Sequence, residues 1–335
     1  MDDSPPAMVM PPRQQTAEGA QRRVGVELEM NGIDLDRLST LVAARGGYRI
    51  EQPGRCERRL TGDPAGDWVV ELDSQWIKKI GREPRPQGDE SAELLGSAED
   101  ALIWMAESLV PVELVSPPLP LNRLDEINEL IHQLREAGAK GTSDRLTNAF
   151  GMQFNPEIPD ADSRTLCAYL KAFLCLYDWM NERAQVNLTR RITTYVDPFP
   201  ADYVSLVTDP GYWPDQAQLI DDYLKHNPTR NRALDMLPLF RHLDEERVLA
   251  CTQDPLIKAR PTFHYRLPDC RIDEPDWDMT EAWNDWLEVE KLAADHERLQ
   301  GCCKAYQQWQ QQGLGRLLDS WPRQLERDWL QKDTA

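Results

Sequence analysis

The segment Val24–Met30 places Val24, Val26, Leu28 and Met30 in alternation with Gly25, Glu27 and Glu29. Successive side chains of a β-strand point to opposite faces, so a period of two fits a strand with one apolar and one polar side. The pattern recurs four times. Glu71 and Asp73 alternate with Val70 and Leu72, Glu113 with Val112 and Leu114, and Gln153 and Asn155 with Met152 and Phe154; His264 and Arg266 alternate with Phe263, Tyr265 and Leu267. A chain built this way needs a sheet with one dry face and one polar face.

Helical periodicity fills the space between these strands. Ile33, Leu35, Leu38, Leu41 and Val42 form one apolar stripe that Gly46-Gly47 closes. Leu124, Ile127, Leu130, Ile131 and Leu134 form a second, with Asn122 as the expected cap and Gly138 as the stop. Beyond Asp160 the chain reads as mainly helical: Leu166–Met180, 214–226, 232–242 and 280–330. The tryptophans of the last stretch, Trp283, Trp286, Trp309, Trp321 and Trp329, are expected in the core or at a homo-oligomer contact. Residues 1–21 read as a disordered tail, 22–275 as the catalytic domain and 276–335 as a helical C-terminal extension packed on it. The fold class expected is α+β, an antiparallel sheet backed by helices with a largely helical C-terminal part.

Composition narrows the functions. With 335 residues and 41% hydrophobic content, the chain can bury a large core. Its net charge of −19 and lack of a long basic cluster argue against a nucleic-acid partner, which needs cations to displace counterions from phosphate. The seven cysteines show no C-x-x-C spacing, which argues against a disulfide framework and a zinc site. The N-terminus lacks the apolar core of a signal peptide, and no run reaches the eighteen apolar residues of a membrane span, so no membrane partner is expected. The cytoplasm is the expected location.

The polar strand faces carry the chemistry. Glu27 and Glu29 share a face with about 7 Å between them, a spacing that suits oxygen ligands of a hard cation. For one strand alone, a solvated outer face explains the pair equally well. Across five strands, however, acids occupy the faces from the first half of the chain and a cationic face comes from the second. Acidic metal ligands and cationic phosphate contacts are what nucleotide chemistry requires.

The ordered set Gly25-Val26-Glu27-Leu28-Glu29, Glu71-Leu72-Asp73, 111–119, 151–157, Asn227-Pro228-Thr229-Arg230-Asn231, 234–239 and 260–268 resembles the amidoligase family. That family belongs to the carboxylate–amine ligases of the glutamine-synthetase and glutamate–cysteine-ligase type. The resemblance implies a sheet whose concave polar face holds ATP and Mg²⁺. Glu27 and Glu29 take the place of the E-x-E metal ligands. Asp73 and Glu113 occupy the next acidic positions, as further metal or amine contacts. Arg266 and Arg230 match phosphate contacts, while Gln153, Asn155 and His264 line the nucleotide side. Gln153 stands where a histidine is usual, and an amide cannot act as an acid or base near pH 7. The implied activity is ATP-dependent amide-bond formation through an acyl phosphate, joining a small-molecule carboxylate to an amine, with a small peptide as one form of substrate. A ligand-binding pseudoenzyme and a metal-dependent phosphotransferase or hydrolase are the competing functions.

Overall fold

The strand Arg23–Met30 (β1) buries Val24, Val26, Leu28 and Met30, all at most 1% exposed, as its alternation requires. This computed structural model describes residues 8–72, 110–142, 150–184, 196–312 and 320–330. After β1 come the helix Leu35–Gly46 (α1) and the strands Arg49–Gly54 (β2), Glu57–Thr61 (β3), Trp68–Leu72 (β4), Val112–Val115 (β5) and Leu119–Pro120 (β6). The helix Asp125–Glu136 (α2) and the strand Met152–Pro156 (β7) follow. They build a seven-stranded sheet in the order β2-β3-β4-β5-β1-β6, with β7 also paired to β1. The pairs β2–β3, β3–β4, β4–β5 and β5–β1 are antiparallel. The architecture is α+β.

Two compact units divide the chain: Val24–Phe154 with Asp269–Asp278, and Met1–Arg23 with Asn155–Pro268 and Met279–Ala335. This division differs from the expected boundaries at 22 and 275. In the first unit, the sheet's apolar face carries rows such as Leu28–Leu114–Val70 and Met30–Val112–Leu72. α1 packs against β3 and β4. Asp34 caps α1 by accepting from the Arg37 N–H, and Gly47 ends it at φ 68°, a left-handed conformation that a side chain disfavours. The buried carboxylate of Asp63 gathers both terminal nitrogens of Arg123 (2.7 and 2.9 Å), Trp68 Nε1 and the Tyr48 hydroxyl. These bonds hold its pKa well below the usual carboxylate range, Arg123 being the main cause.

The second unit contains helices Ser163–Arg183 (α3), Ala201–Val207 (α4), Gln216–His226 (α5), Leu237–Leu243 (α6), Glu245–Cys251 (α7), Thr280–Ala294 (α8), His296–Gln311 (α9) and Trp321–Asp328 (α10). Its core is centred on α3, buried from Leu166 to Leu176 and packed against α8, α9 and α10. Trp283, Trp286 and Trp321 are fully buried, which makes them core residues. Among the described residues, no helix is long and apolar enough to cross a membrane.

The structure departs from the sequence expectations at several points. Part of the segment read as a tail is packed: Met8 and Pro11 are buried and Trp283 Nε1 donates to the Val9 carbonyl at 2.9 Å, while most of 12–21 is exposed. β3 has the charged sequence Glu-Arg-Arg-Leu-Thr, in which only Leu60 is apolar, so hydrophobic alternation does not reveal it. Asn122 is no cap, since a short 3-10 turn at Leu121–Arg123 intervenes before α2 and Leu124 takes the cap position. Residues 232–236 precede α6 with isolated bridges at Arg232 and Leu234, and Thr262 and Tyr265 form isolated bridges in place of a continuous strand over 262–267.

Candidate functional site: a carboxylate row and an arginine cluster

The antiparallel register lines up acids across four neighbouring strands. Glu57 on β3 stands opposite Glu71 on β4, Glu71 opposite Glu113 on β5, and Glu113 opposite Glu29 on β1. Directly opposed residues share a face, and strands lie about 4.8 Å apart, so the row spans roughly 14 Å. Glu57 and Glu113 are buried and Glu71 and Glu29 half-buried. Glu27, two residues before Glu29 and 9% exposed, lies on the same face opposite Val115. Like charges placed directly opposite in a sheet are destabilising, so three successive Glu–Glu pairs are a feature that stability alone would disfavour.

β7 supplies the row's polar end. The Gly151 N–H donates to Glu29 Oε2 at 2.7 Å, and Gln153 Nε2 donates to Glu29 Oε1 at 3.2 Å. Both bonds fix the orientation of the carboxylate. Gln153 therefore acts here as a donor that positions an acid. Asn155, on the same side of β7, is 5% exposed. Asp73 lies outside the described residues.

The donor set of the row is carboxylate and amide oxygen, which matches a hard divalent cation. Among the described residues, no three His, Cys, Asp or Glu side chains converge as a ready-made metal cage. Mg²⁺ does not need one, since it commonly takes one or two carboxylates and completes its shell with water and substrate phosphates.

The cationic residues belong to the second unit. Phe263 and Tyr265 turn into the core, stacking on Tyr169 (4.7 Å between ring centroids) and against Trp286 (5.5 Å), which sends His264 and Arg266 to the opposite side. The segment 233–235 runs beside 264–266: Asp235 N–H donates to the His264 carbonyl (2.9 Å), Arg266 N–H to the Ala233 carbonyl (2.8 Å), and Leu234 bridges Tyr265. Arg266 Nη1 also donates to the carbonyl of Arg230. Arg230, Arg260 and Arg266 all act electrostatically on both Asp235 and His264.

The sequence reading singled out Arg230, His264 and Arg266 but not Arg260 or Asp235. In the row, it placed Glu71 on a strand without assigning it a role and missed Glu57. One signal for Asp235 was available: it is an isolated carboxylate inside the otherwise apolar run 233–240.

Asp235 is 1% exposed, and burial pushes its carboxyl up to about 7 despite the hydrogen bond from the Leu237 N–H and the nearby arginines. Burial and the same arginines hold the His264 imidazole well below its ordinary value. Asp235 Oδ2 lies 3.5 Å from His264 Nδ1, and because the imidazole stays neutral this contact is not an ion pair. Between pH 4 and 7 the folded Asp235 keeps a proton that the unfolded chain has released, so its contribution to stability falls as pH rises through that window. Asp235→Asn should therefore melt higher than wild type at pH 8, with the difference vanishing toward pH 4. Scanning fluorimetry of both proteins across that range checks this.

A family model described as "putative amidoligase enzyme" matches residues 20–288. The chain belongs to the amidoligase family. Membership supports a ligase activity, and the matched span contains the carboxylate row, β7 and the arginine cluster. No curated protein matches the chain.

Proposed function

We propose that this amidoligase is an ATP-dependent, ADP-forming carboxylate–amine ligase that uses Mg²⁺. The observation that carries the reading is the row Glu57–Glu71–Glu113–Glu29, whose opposed charges a bound cation would convert from a liability into a binding surface. Glu27, Glu29 and Glu113 are the proposed metal ligands. Bound Mg²⁺ would supply charge neutralisation for the phosphates and for a substrate carboxylate.

A carboxylate and an ammonium do not condense near pH 7, because each is in its unreactive form. In the proposed sequence, a carboxylate oxygen of the substrate attacks the γ-phosphorus, the bond to the β–γ bridging oxygen breaks, and ADP leaves. The amine nitrogen then attacks the acyl carbon, and orthophosphate leaves with the carboxyl oxygen. Arg230 and Arg266, with Arg260 as a third guanidinium, would take the spreading negative charge of phosphoryl transfer. His264 and Asn155 would contact nucleotide, Gln153 would hold Glu29 in place, and Glu113 or Asp73 would accept the proton lost by the amine.

The test is an ADP-release screen over amino acids, polyamines and small peptides with Mg²⁺ present, paired with melting curves. At 100 times its dissociation constant, Mg²⁺·ATP should add about 2.7 kcal/mol of stability, and ADP release should require an amine. ADP release without an amine would overturn the ligase in favour of a phosphotransferase or hydrolase. Nucleotide binding without turnover would leave a ligand-binding pseudoenzyme, and melting curves that ignore Mg²⁺·ATP would remove the nucleotide.

A further inference from the structure

β2 is the outermost strand of the sheet, and among the described residues it pairs only with β3. Its residues Arg49 to Pro53 are exposed, and Ile50, at 44%, is one of two large hydrophobic side chains left exposed among the described residues. An antiparallel strand turns the N–H and C=O groups of alternate residues away from its neighbour, so the outer side of β2 offers backbone donors and acceptors to a further strand. The register with β3 sorts the side chains. Ile50 stands opposite Leu60, and Leu60 opposite Trp68, both of them buried, so Ile50 is the exposed end of an apolar row. On the other face Glu51 stands opposite Arg59 and Arg49 opposite Thr61.

An open edge is usually protected by like charges, a proline or a bulge. β2 has Pro53 and a register shift between Glu51 and Gly54, but both lie at its far end. The exposed stretch before them carries Arg49 and Glu51, whose charges are opposite in sign, around the apolar Ile50.

We propose that β2 is the surface through which two copies of this chain associate, strand against strand and antiparallel, about a two-fold axis at Ile50. That register sets Ile50 against Ile50 of the second copy, joining the two apolar rows. It also sets Arg49 against Glu51 of the second copy, and Glu51 against its Arg49. Each polar row then runs Arg59, Glu51, Arg49, Thr61 across the junction, with opposite charges adjoining. Opposite charges directly across a sheet are favourable and like charges unfavourable. The neighbouring registers lose this match. An axis at Arg49 or at Glu51 opposes like charges, and an axis between two residues sets Ile50 against a charge. A two-fold contact uses the same edge in both copies, so the assembly closes at two. A pairing of so few residues buries less than the roughly 1,200 Å² of a lasting interface, which makes the dimer weak and dependent on concentration.

Sedimentation equilibrium of the full chain over a wide concentration range tests this, with no need for nucleotide or turnover. Wild type should move from the monomer toward twice its mass as concentration rises. Arg49→Glu opposes glutamates at both charged pairs and should weaken dimerisation about tenfold or more. Within its own chain this position faces only Thr61, so the variant should keep the melting curve of wild type. Glu51→Arg opposes arginines and should weaken the dimer in the same way. An equimolar mixture of the two variants should recover it, because every glutamate at the junction then meets an arginine. Wild type that stays monomeric at every concentration would overturn the proposal and leave the edge to an extended segment of some other protein. A dimer that Arg49→Glu leaves intact would place the contact elsewhere on the molecule. Two weakened variants whose mixture fails to recover the dimer would overturn the register about Ile50, and with it the proposal.

Discussion

Glu113→Gln should cut ATP-dependent turnover by orders of magnitude while leaving the ligand-free protein folded. Glu113 stands between two other carboxylates, opposite Glu29 on one side and Glu71 on the other. The amide keeps the shape of the side chain and removes one charge from two like-charged pairs. Each such pair is worth about 0.2–1 kcal/mol, too little to decide folding, so the ligand-free protein should still unfold cooperatively. A hard cation prefers charged oxygen, so the same change removes binding strength where the mechanism needs it. Loss of an electrostatic group of this kind typically lowers kcat by roughly 10²–10³-fold, and the stabilisation by Mg²⁺·ATP should shrink with it. The checks are ADP-release kinetics with the best acceptor from the screen and melting curves with and without Mg²⁺·ATP. Unchanged kinetics would return the row to an ordinary polar sheet face. A lowered ligand-free melting temperature would mean that the carboxylate is held by partners that the amide cannot replace.

The largest effect on stability is expected at the ion pair between Arg22 and Glu290, which are 2% and 1% exposed on their side chains. Arg22 Nη2 donates to Glu290 Oε1 at 2.8 Å and Nη1 to Oε2 at 3.0 Å, a two-pronged contact between residues 268 positions apart. Trp286 Nε1 donates to the same carboxylate at 3.0 Å, and the Tyr169 hydroxyl also donates to it. The remaining Arg22 donors reach the carbonyls of Glu157 and Arg13. Removing one partner leaves a buried charge without its counter-ion, which typically costs 3–5 kcal/mol. Glu290→Leu should thus melt far below wild type, on the order of half the total stability of many domains. The double variant Arg22→Met with Glu290→Leu should recover much of the loss, because well-packed apolar replacements of buried pairs are often close to neutral. Denaturant titration of the four proteins in the cycle gives the coupling directly. A double variant no better than the worse single variant would show that Tyr169, Trp286 and the carbonyls depend on the charges as much as the charges depend on each other.

This ion pair also reaches the segment read as a tail, since Arg22 Nη1 donates to the Arg13 carbonyl at 2.6 Å. The segment's proline-rich, polar composition reads as a tail, yet Arg22 is anchored by an acid on a helix near the other end of the chain. Composition reports local tendency, and a partner this far away in sequence does not register in it.

Local periodicity did determine a good part of the molecule. The period of two in 24–30 put Glu27 and Glu29 on the face away from Val26 and Leu28, and the same rule placed Glu113, Gln153, His264 and Arg266. The helical stripe through Ile127, Leu130, Ile131 and Leu134 became the buried side of α2. These features are legible because they depend on residues a few positions apart, where backbone geometry alone dictates which side chains share a face. Tertiary structure alone decided which strands are neighbours and in what register. A strand's alternation says which way a glutamate points but not what stands opposite it, and a shift of one residue in pairing would have reversed the match. Register placed Glu57 of the unrecognised β3 in line with Glu71, Glu113 and Glu29, and pairing of 233–235 with 264–266 brought Asp235 beside His264. Both arrangements come from hydrogen bonding between segments far apart in the chain, which the period of either segment by itself does not encode.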